Sequence, residues 1–311
     1  MKLFFAPVQG HTDAAYRHFH ALKYASEGVV YTTPFIRLEK GEIRKKDLRD
    51  ALSPLNEAHE VVPQVIFKDA VELDSLVNLL YAEGVRKIDI NMGCPFPLQT
   101  ARGRGAASIV NPDCVSAVRQ TVESHCDVAF SVKMRLGYRE EEWRPLLSVL
   151  NTIKLSHVAV HPRTASDQYT GALHMDAFDS IYAESVNPLV YNGDILLPSD
   201  AHRIMEKYPE LHGIMIGRGV LGRPSLIEEI STGEELEDSV RLHRMLDFHR
   251  ALLEYYKSSL IGGDHQVLSK ISPFWEYAKS EIGRKAWKAL KKASSMAKYQ
   301  TALALINNQA H

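Results

Sequence analysis

One of the three cysteines stands apart. Cys94 lies between Gly93 and Pro95, just beyond an apolar run, whereas Cys114 and Cys126 fall in or beside a helical pattern and read as structural. A thiol with an ordinary pKa of ~8.5 stays mostly protonated at neutral pH and can act as a general acid; as a thiolate it is a nucleophile. Both chemistries are open for Cys94. Lys133 is the second unusual residue, because a lysine within an apolar strand pattern needs an anionic or strongly accepting partner. Pro7, Gln9, Gln64, Asn91, Arg135, His161 and Arg163 also come at or directly after apolar runs. So do Asn192-Gly193-Asp194 and Gly217-Arg218-Gly219, whose glycines let backbone N–H groups approach an oxyanion while Arg218 adds a guanidinium. That chemistry suits a phosphate-bearing ligand. Lys133 and Gln64 narrow the choice, since a lysine stabilises the anionic edge of a reduced flavin and an amide both donates to and accepts from its uracil-like edge. FMN is the expected occupant.

Eight runs rich in β-branched and aromatic residues must position these groups: 2–5, 28–32, 61–67, 87–90, 128–134, 157–160, 188–191 and 213–216. Segments 12–25, 70–83, 112–125, 141–154 and 199–207 read as helices between them. Asn111-Pro112 sets a cap before a first-turn proline, and Pro198-Ser199-Asp200 offers similar chemistry. A helical stretch over 221–230 would offer its N-terminus to the phosphate. Apolar strands alternating with helices indicate a parallel sheet covered on both faces, and eight units in this length predict an α/β fold of the (β/α)8 TIM-barrel type. In such a barrel chemistry sits at the C-terminal ends of the strands. Seven of the eight strand ends carry the polar residues named above. The charged stretch between the second and third strands, with Arg44, Lys45, Lys46, Asp47, Arg49 and Asp50, reads as a solvated face.

Beyond Ser231-Thr232-Gly233 the strand pattern stops. Leu242, Met245, Leu246, His249, Leu252, Leu253 and Tyr256 share one helix face, Gly262-Gly263 breaks that helix, and 267–282 and 284–306 read as two more. The expected division is a catalytic barrel over 1–233 and a helical domain over 234–311.

The chain has 311 residues, 45% of them apolar and 24% charged, with a formal net charge of -1. Nothing here is collagen-like, low-complexity or a disulfide scaffold. The cysteines form no C-x-x-C pair, and the 14 histidines include no H-E-x-x-H, so no metal is expected. No apolar run is long enough for a membrane span or a secretory leader, which predicts a cytoplasmic protein, taken here as a monomer. The charge is unevenly spread: residues 239–311 hold 12 Lys/Arg against 5 Asp/Glu, and the remainder is acidic. Arg284, Lys285, Lys288, Lys291, Lys292 and Lys298 occur with no acid among them, and Arg284, Lys288 and Lys291 fall on one helix face with Lys285 and Lys292 beside it. Such a stripe could track a phosphate backbone. Trp275, Tyr277, Trp287 and Tyr299 nearby are expected mostly to pack inside the bundle.

These residues resemble a known family. Asn91-Met92-Gly93-Cys94-Pro95 followed by Gly103-Arg104-Gly105-Ala106 is similar to the catalytic signature of the tRNA-dihydrouridine synthases. Ala6-Pro7-Val8-Gln9-Gly10-His11-Thr12-Asp13, Ser131-Val132-Lys133-Met134-Arg135, His161-Pro162-Arg163-Thr164, Asn192-Gly193-Asp194-Ile195 and Ile216-Gly217-Arg218-Gly219 match in order, and Lys270 to Tyr277 resembles part of the family's helical RNA-binding domain. The resemblance implies reduction of a uridine C5–C6 double bond in tRNA, with FMN carrying hydride and NADPH or NADH recharging it. By position, Cys94 would protonate C5. Asn91, Arg135 and Arg163 would hold the substrate, and Lys133, His161, Pro7, Val8, Gln9 and Gln64 would meet the flavin. Asn192, Gly193, Asp194, Gly217 and Arg218 would cradle its phosphate, while Lys270, Arg284, Lys285, Lys288, Lys291 and Lys292 would meet RNA. The chain departs from the family pattern at His11, Pro34, Gln99 and Ser108, none of them a catalytic group.

Two other readings use the same residues. One is an FMN barrel reducing a free pyrimidine or enone, which would not need the basic tail. The other is an RNA-binding barrel without chemistry, against which Cys94, Lys133 and His161 argue.

Overall fold

A computed structural model describes residues 1–24 and 28–307. Its main sheet has nine parallel strand segments. In chain order they are Lys2–Phe5, Val30–Thr32, Glu60–Val62, Gln64–Val65, Lys87–Met92, Ala129–Arg135, His157–His161, Leu189–Tyr191 and Gly213–Ile216. The last pairs with the first in parallel register, Lys2 opposite Gly213 through Phe5 opposite Ile216. Glu60–Val62 and Gln64–Val65 are one expected strand interrupted at Pro63, whose ring has no N–H to give. The first piece pairs with Val30–Thr32 and the second with Lys87–Met92, so the barrel closes through the proline. All eight predicted strands are present.

Alternation along the strands explains why the barrel's inside is polar at one end. Ile88, Ile90 and Met92, like Phe130, Val132 and Met134, are buried in the apolar layer between sheet and helices. The intervening Asp89, Asn91, Ser131, Lys133 and Arg135 must then face the barrel interior. A smaller apolar cluster of Phe4, Ala6, Val30, Val62, Ala159, Val190 and Met215 fills the rest of that interior.

The expected helices form as Ala14–Tyr24, Ala70–Ala82, Pro112–Ser124, Trp143–Leu150 and Pro198–Lys207; Ala25, at the predicted end of the first, lies outside the described residues. Asn111 caps its helix through the Asp113 N–H at 3.0 Å, with Pro112 in the first turn. Three features differ from expectation. Met175–Glu184 is an additional helix. The charged stretch after the second strand opens as an antiparallel hairpin, Leu38–Glu39 with Glu42–Ile43, turning at Lys40 and Gly41, both with positive φ, before a helix at Lys45–Ala51. The segment expected to be helical over 221–230 instead forms Arg218–Gly222 and Leu226–Thr232, parted by Arg223, Pro224 and Ser225.

In the tail, Asp238–Ser259 buries Leu242, Met245, Phe248, His249, Leu252, Leu253 and Tyr256. Phe248 stacks edge-on against Tyr16 of the first barrel helix, ring centroids 4.9 Å apart. Gly263–Ile271 follows the predicted glycine break. Lys279–Lys292 is kinked at Gly283, where the two expected helices were to part. The stretch expected to run unbroken to 306 breaks again before Met296–Asn307, because Ser295 caps it through the Lys298 N–H. Trp275 and Tyr299 are buried, the Trp275 indole donating to the Tyr299 hydroxyl at 2.7 Å.

Candidate active site at the barrel mouth

A cavity of about 240 Å³ opens at the C-terminal ends of the strands. Pro7, Val8, Gln9, Gln64, Asn91, Cys94, Lys133, Arg135, His161, Asn192, Gly193, Asp194, Gly217 and Arg218 all line it. They come from seven strand ends, which the closed barrel brings to one place.

The Cys94 loop is held from two sides. Asn91 Oδ1 accepts from the Gly93 and Cys94 N–H groups at 3.0 and 2.9 Å. From behind, the Cys94 carbonyl accepts from the Ala106 N–H at 3.1 Å. Gly105 has φ +62°, and a Cβ there would lie 2.6 Å from that carbonyl oxygen, so the second half of the motif needs glycine for close approach. Arg104 anchors the same segment by ion-pairing with Glu72 at 2.6 Å and donating to the Leu38 carbonyl of the hairpin. Burial pushes the Cys94 thiol above its ordinary value, against the Phe96 backbone and the charges of Arg135 and Lys133. A thiol so placed keeps its proton at neutral pH, which favours the acid over the thiolate.

Lys133 donates to Asn192 Oδ1 at 2.7 Å. Burial, then the charge of Arg135, brings its pKa down to about 8, with Asp89 and Cys94 pulling the other way. His161 is held far below its usual pKa by burial and by Arg135, Lys133, Arg163 and Arg218, so it is neutral. Its Nε2 lies 3.2 Å from Arg163 Nη1. A guanidinium only donates, so Nε2 accepts and the hydrogen sits on Nδ1. Arg135 gives one nitrogen to the Thr164 and Gln168 carbonyls at 2.7 Å each, while its Nη2 is buried without a partner. An orphaned guanidinium N–H beside a cavity asks for an acceptor on a ligand.

Several expected contacts are placed differently. Gln64 spends its amide within the protein, donating to Asp89 and accepting from Asn91, which leaves it a second N–H. Asp194 does not present a free carboxylate; it binds Arg163 and, at 2.6 Å, Arg218. Burial works against its charge, but Arg163 and Arg218 hold the carboxyl below its usual range. Arg163 is buried behind the wall, bonded to Asp194, His161 and the Gly171 carbonyl. It orients its neighbours and does not line the cavity. Lys270 is ion-paired with Asp13, which also accepts from the Tyr256 hydroxyl, and so joins tail to barrel. Arg284, Lys285, Lys288, Lys291 and Lys292 lie far along the tail on the exposed side of Lys279–Lys292, and none has an ion-pair partner among the described residues. Lys291 sits over the Trp287 ring at 4.6 Å.

Sequence reasoning missed other wall residues. Tyr169 stands between Arg218 and Arg135, whose guanidinium carbons lie 4.6 and 5.0 Å from its ring centre. Glu276 and Tyr277 reach the cavity from the tail, and His11 binds Glu276 at 2.9 Å. The departure at His11 is thus used at the junction. Phe96, two residues past Cys94, is 56% exposed at the rim. Only the His11 departure and the Lys270–Tyr277 similarity hinted at these contacts.

The fold and mouth together define a (β/α)8 barrel with its polar and ionisable groups gathered at the strand C-terminal ends. Residues 4–310 match the dihydrouridine synthase family, and the chain belongs to it. It is 26% identical over 304 residues to tRNA-dihydrouridine synthase B of Yersinia pestis, covering 93% of this chain and 91% of that one. It is 30% identical over 256 residues to a probable tRNA-dihydrouridine synthase 2 of Bacillus subtilis strain 168, covering 78% and 77%. Among solved structures it resembles the old yellow enzyme from Trypanosoma cruzi, with a TM-score of 0.51 at 8% identity over 76% of this chain and 89% of that one. A morphinone reductase gives a TM-score of 0.50 at 10% identity, covering 76% and 86%. At such identities these two speak for the barrel alone. No helix among the described residues is long and apolar enough to cross a membrane.

Proposed function

We propose that the mouth binds FMN and that the enzyme reduces the C5–C6 double bond of uridines in tRNA, in the cytoplasm, with NADPH or NADH as reductant. The observation that carries this reading is that the Cys94 thiol, whose pKa burial raises, shares one cavity with an orphaned guanidinium and a half-buried lysine. The residues fit the cofactor: Lys133 suits a polar ring edge that gains negative charge, and Arg218 with the backbone of Asn192-Gly193 and Gly217 suits a phosphate. Asp194 would aim Arg218 rather than touch that phosphate. Bound there, FMN would supply hydride to C6.

The chain's own residues would do the rest. Cys94 holds a proton at Sγ and delivers it to C5. Arg135 Nη2 and the second N–H of Asn91 hold the uracil carbonyl edge. His161, neutral with its hydrogen on Nδ1, donates toward the flavin. Residues 1–233 would carry this chemistry and 234–311 the grip on RNA, where Arg284, Lys285, Lys288, Lys291 and Lys292 meet phosphates. That grip offsets the cost of extruding the base. The names of the relatives support the substrate, and the unpaired basic helix speaks against a free small molecule.

The test is an absorption spectrum of the purified protein, heat release of the chromophore, and mapping of dihydrouridine in tRNA from a strain lacking the gene. Flavin bands, released FMN and a lost dihydrouridine are expected. A colourless protein that refuses added FMN would sink the reading.

A further inference from the structure

Beneath the cavity lies a chain of polar side chains that no bound molecule would touch at its far end. Ser131 Oγ donates to Asp89 Oδ1 at 2.5 Å, and Gln64 Nε2 donates to Asp89 Oδ2 at 2.7 Å. Gln64 Oε1 accepts from Asn91 Nδ2 at 2.7 Å. Asn91 Oδ1 then accepts the N–H groups of Gly93 and Cys94. Asp89, Gln64, Asn91 and Ser131 are all buried, and Asp89 is not part of the cavity wall.

The order of donors and acceptors in this chain has one consistent solution. An amide has a donating and an accepting end, so each can be inserted in two ways. Both oxygens of Asp89 receive hydrogens, which is the pattern of a carboxylate. Burial raises the Asp89 pKa above its ordinary value, against the bonds from Ser131 and Gln64 and the charge of Lys133; the two donors at its oxygens, not its acidity, mark the carboxylate. The order is fixed from both ends: the Asp89 carboxylate calls for the Gln64 nitrogen, and the Gly93 and Cys94 N–H groups, by claiming the Asn91 oxygen, turn the Asn91 nitrogen to the Gln64 oxygen. Asn91 must in turn point its nitrogen at Gln64 and its oxygen at the two backbone N–H groups that lead to Cys94. We propose that Asp89 is a positioning residue: through Gln64 and Asn91 it sets the placement of the Cys94 loop. The same ordering leaves each amide with a spare N–H, so the floor presents donors suited to the carbonyl edge of a pyrimidinedione and opposed to an amino group. The inference rests on the reading of Cys94 as proton donor.

An exchange of charges tests it. In Asn91→Asp the new carboxylate still accepts from Gly93 and Cys94, but Gln64 now lies between two acceptors and satisfies only one. The double exchange, Asp89→Asn with Asn91→Asp, restores every bond with Gln64 reversed. The amide introduced at position 89 donates to Gln64, Gln64 donates to the carboxylate introduced at position 91, and Ser131 donates to the oxygen of the new amide. The readout is alkylation of Cys94 by iodoacetamide between pH 7 and 10, followed by peptide mass in a Cys126→Ser background. It needs neither flavin nor RNA.

Asn91→Asp should change the alkylation rate roughly tenfold, as expected for one buried mismatched pair, and the double exchange should return it to within about threefold of the parent. Ser131→Ala removes one donor without disturbing the order and should stay near the parent. Folding of the double exchange where Asn91→Asp alone does not fold would also support the relay. An unshifted Asn91→Asp, a double exchange no closer to the parent than Asn91→Asp alone, failure of both to fold, or a Ser131→Ala effect as large as that of Asn91→Asp would overturn it. Rescue of alkylation in an enzyme that never turns over tRNA would fault the assigned reaction and leave the relay standing.

Discussion

The barrel mouth and the tail helix Lys279–Lys292 both gather positive charge, and they hold it in opposite ways. At the mouth Lys133, Arg135, Arg163 and Arg218 are wholly or partly withdrawn from water, and each is bonded to named acceptors. On the tail Arg284, Lys285, Lys288 and Lys292 are exposed and unpaired among the described residues. Buried charge is costly to assemble but strong and barely screened, which suits transition-state stabilisation at one atom. Exposed charge costs little, acts over a Debye length and yields to salt, which suits capture of a polyanion. The sequence separates the two kinds in part, since Lys133 and Arg135 stand singly in an apolar run whereas the tail cations cluster with no acid among them. Burial completes the separation.

Three variants would break or sharpen the contrast. Cys94→Ala should cost the largest factor, about 10²–10⁴ in single-turnover oxidation of the reduced enzyme by tRNA, while flavin content and RNA affinity stay put. Replacing Lys285, Lys288 and Lys292 together by Ala should weaken RNA binding about ten- to a hundredfold and lower the slope of log K against log salt by up to ~3, with flavin content unchanged. Fluorescence anisotropy at four salt concentrations would measure both, and an unchanged slope would remove this helix from the interface. The smallest effect concerns Lys133. An unfolded lysine keeps its proton to ~10.4, whereas the folded one gives it up at about 8. Between those values the unfolded state binds more protons, so the flavin-free protein should grow more stable as pH rises, and Lys133→Met should lack that increment. Urea melts at pH 8 and pH 10 on both proteins would show it.

The eight strands and their polar ends were legible because burial on both faces demands apolar runs and catalysis demands exceptions to them. Pro63 was visible too, yet only pairing shows that it divides one strand between two neighbours. The hairpin at Leu38–Ile43 escaped because two-residue strands carry no period, although Lys40-Gly41 is a turn signal. Ser295 caps the last helix, a local cue that the apolar period overran. The ion-pair partners of Arg163, Asp194 and Lys270 were not legible, since a pair across 31 or 257 residues leaves no local trace. Tyr169, Glu276 and Tyr277 were missed for the same reason: docking of one segment on another is a tertiary fact.

That docking has a geometric consequence. Glu276 and Tyr277 form part of the cavity wall only a few residues before the basic helix begins, and His11 and Asp13 clasp the tail to the first barrel loop. The distance from the exposed lysines to Cys94 is therefore a gauge set by this packing. An RNA gripped by those lysines would present to the thiol whichever nucleotide lies one gauge length away. The modified position would then be chosen by measuring along the folded RNA rather than by reading the letters around it.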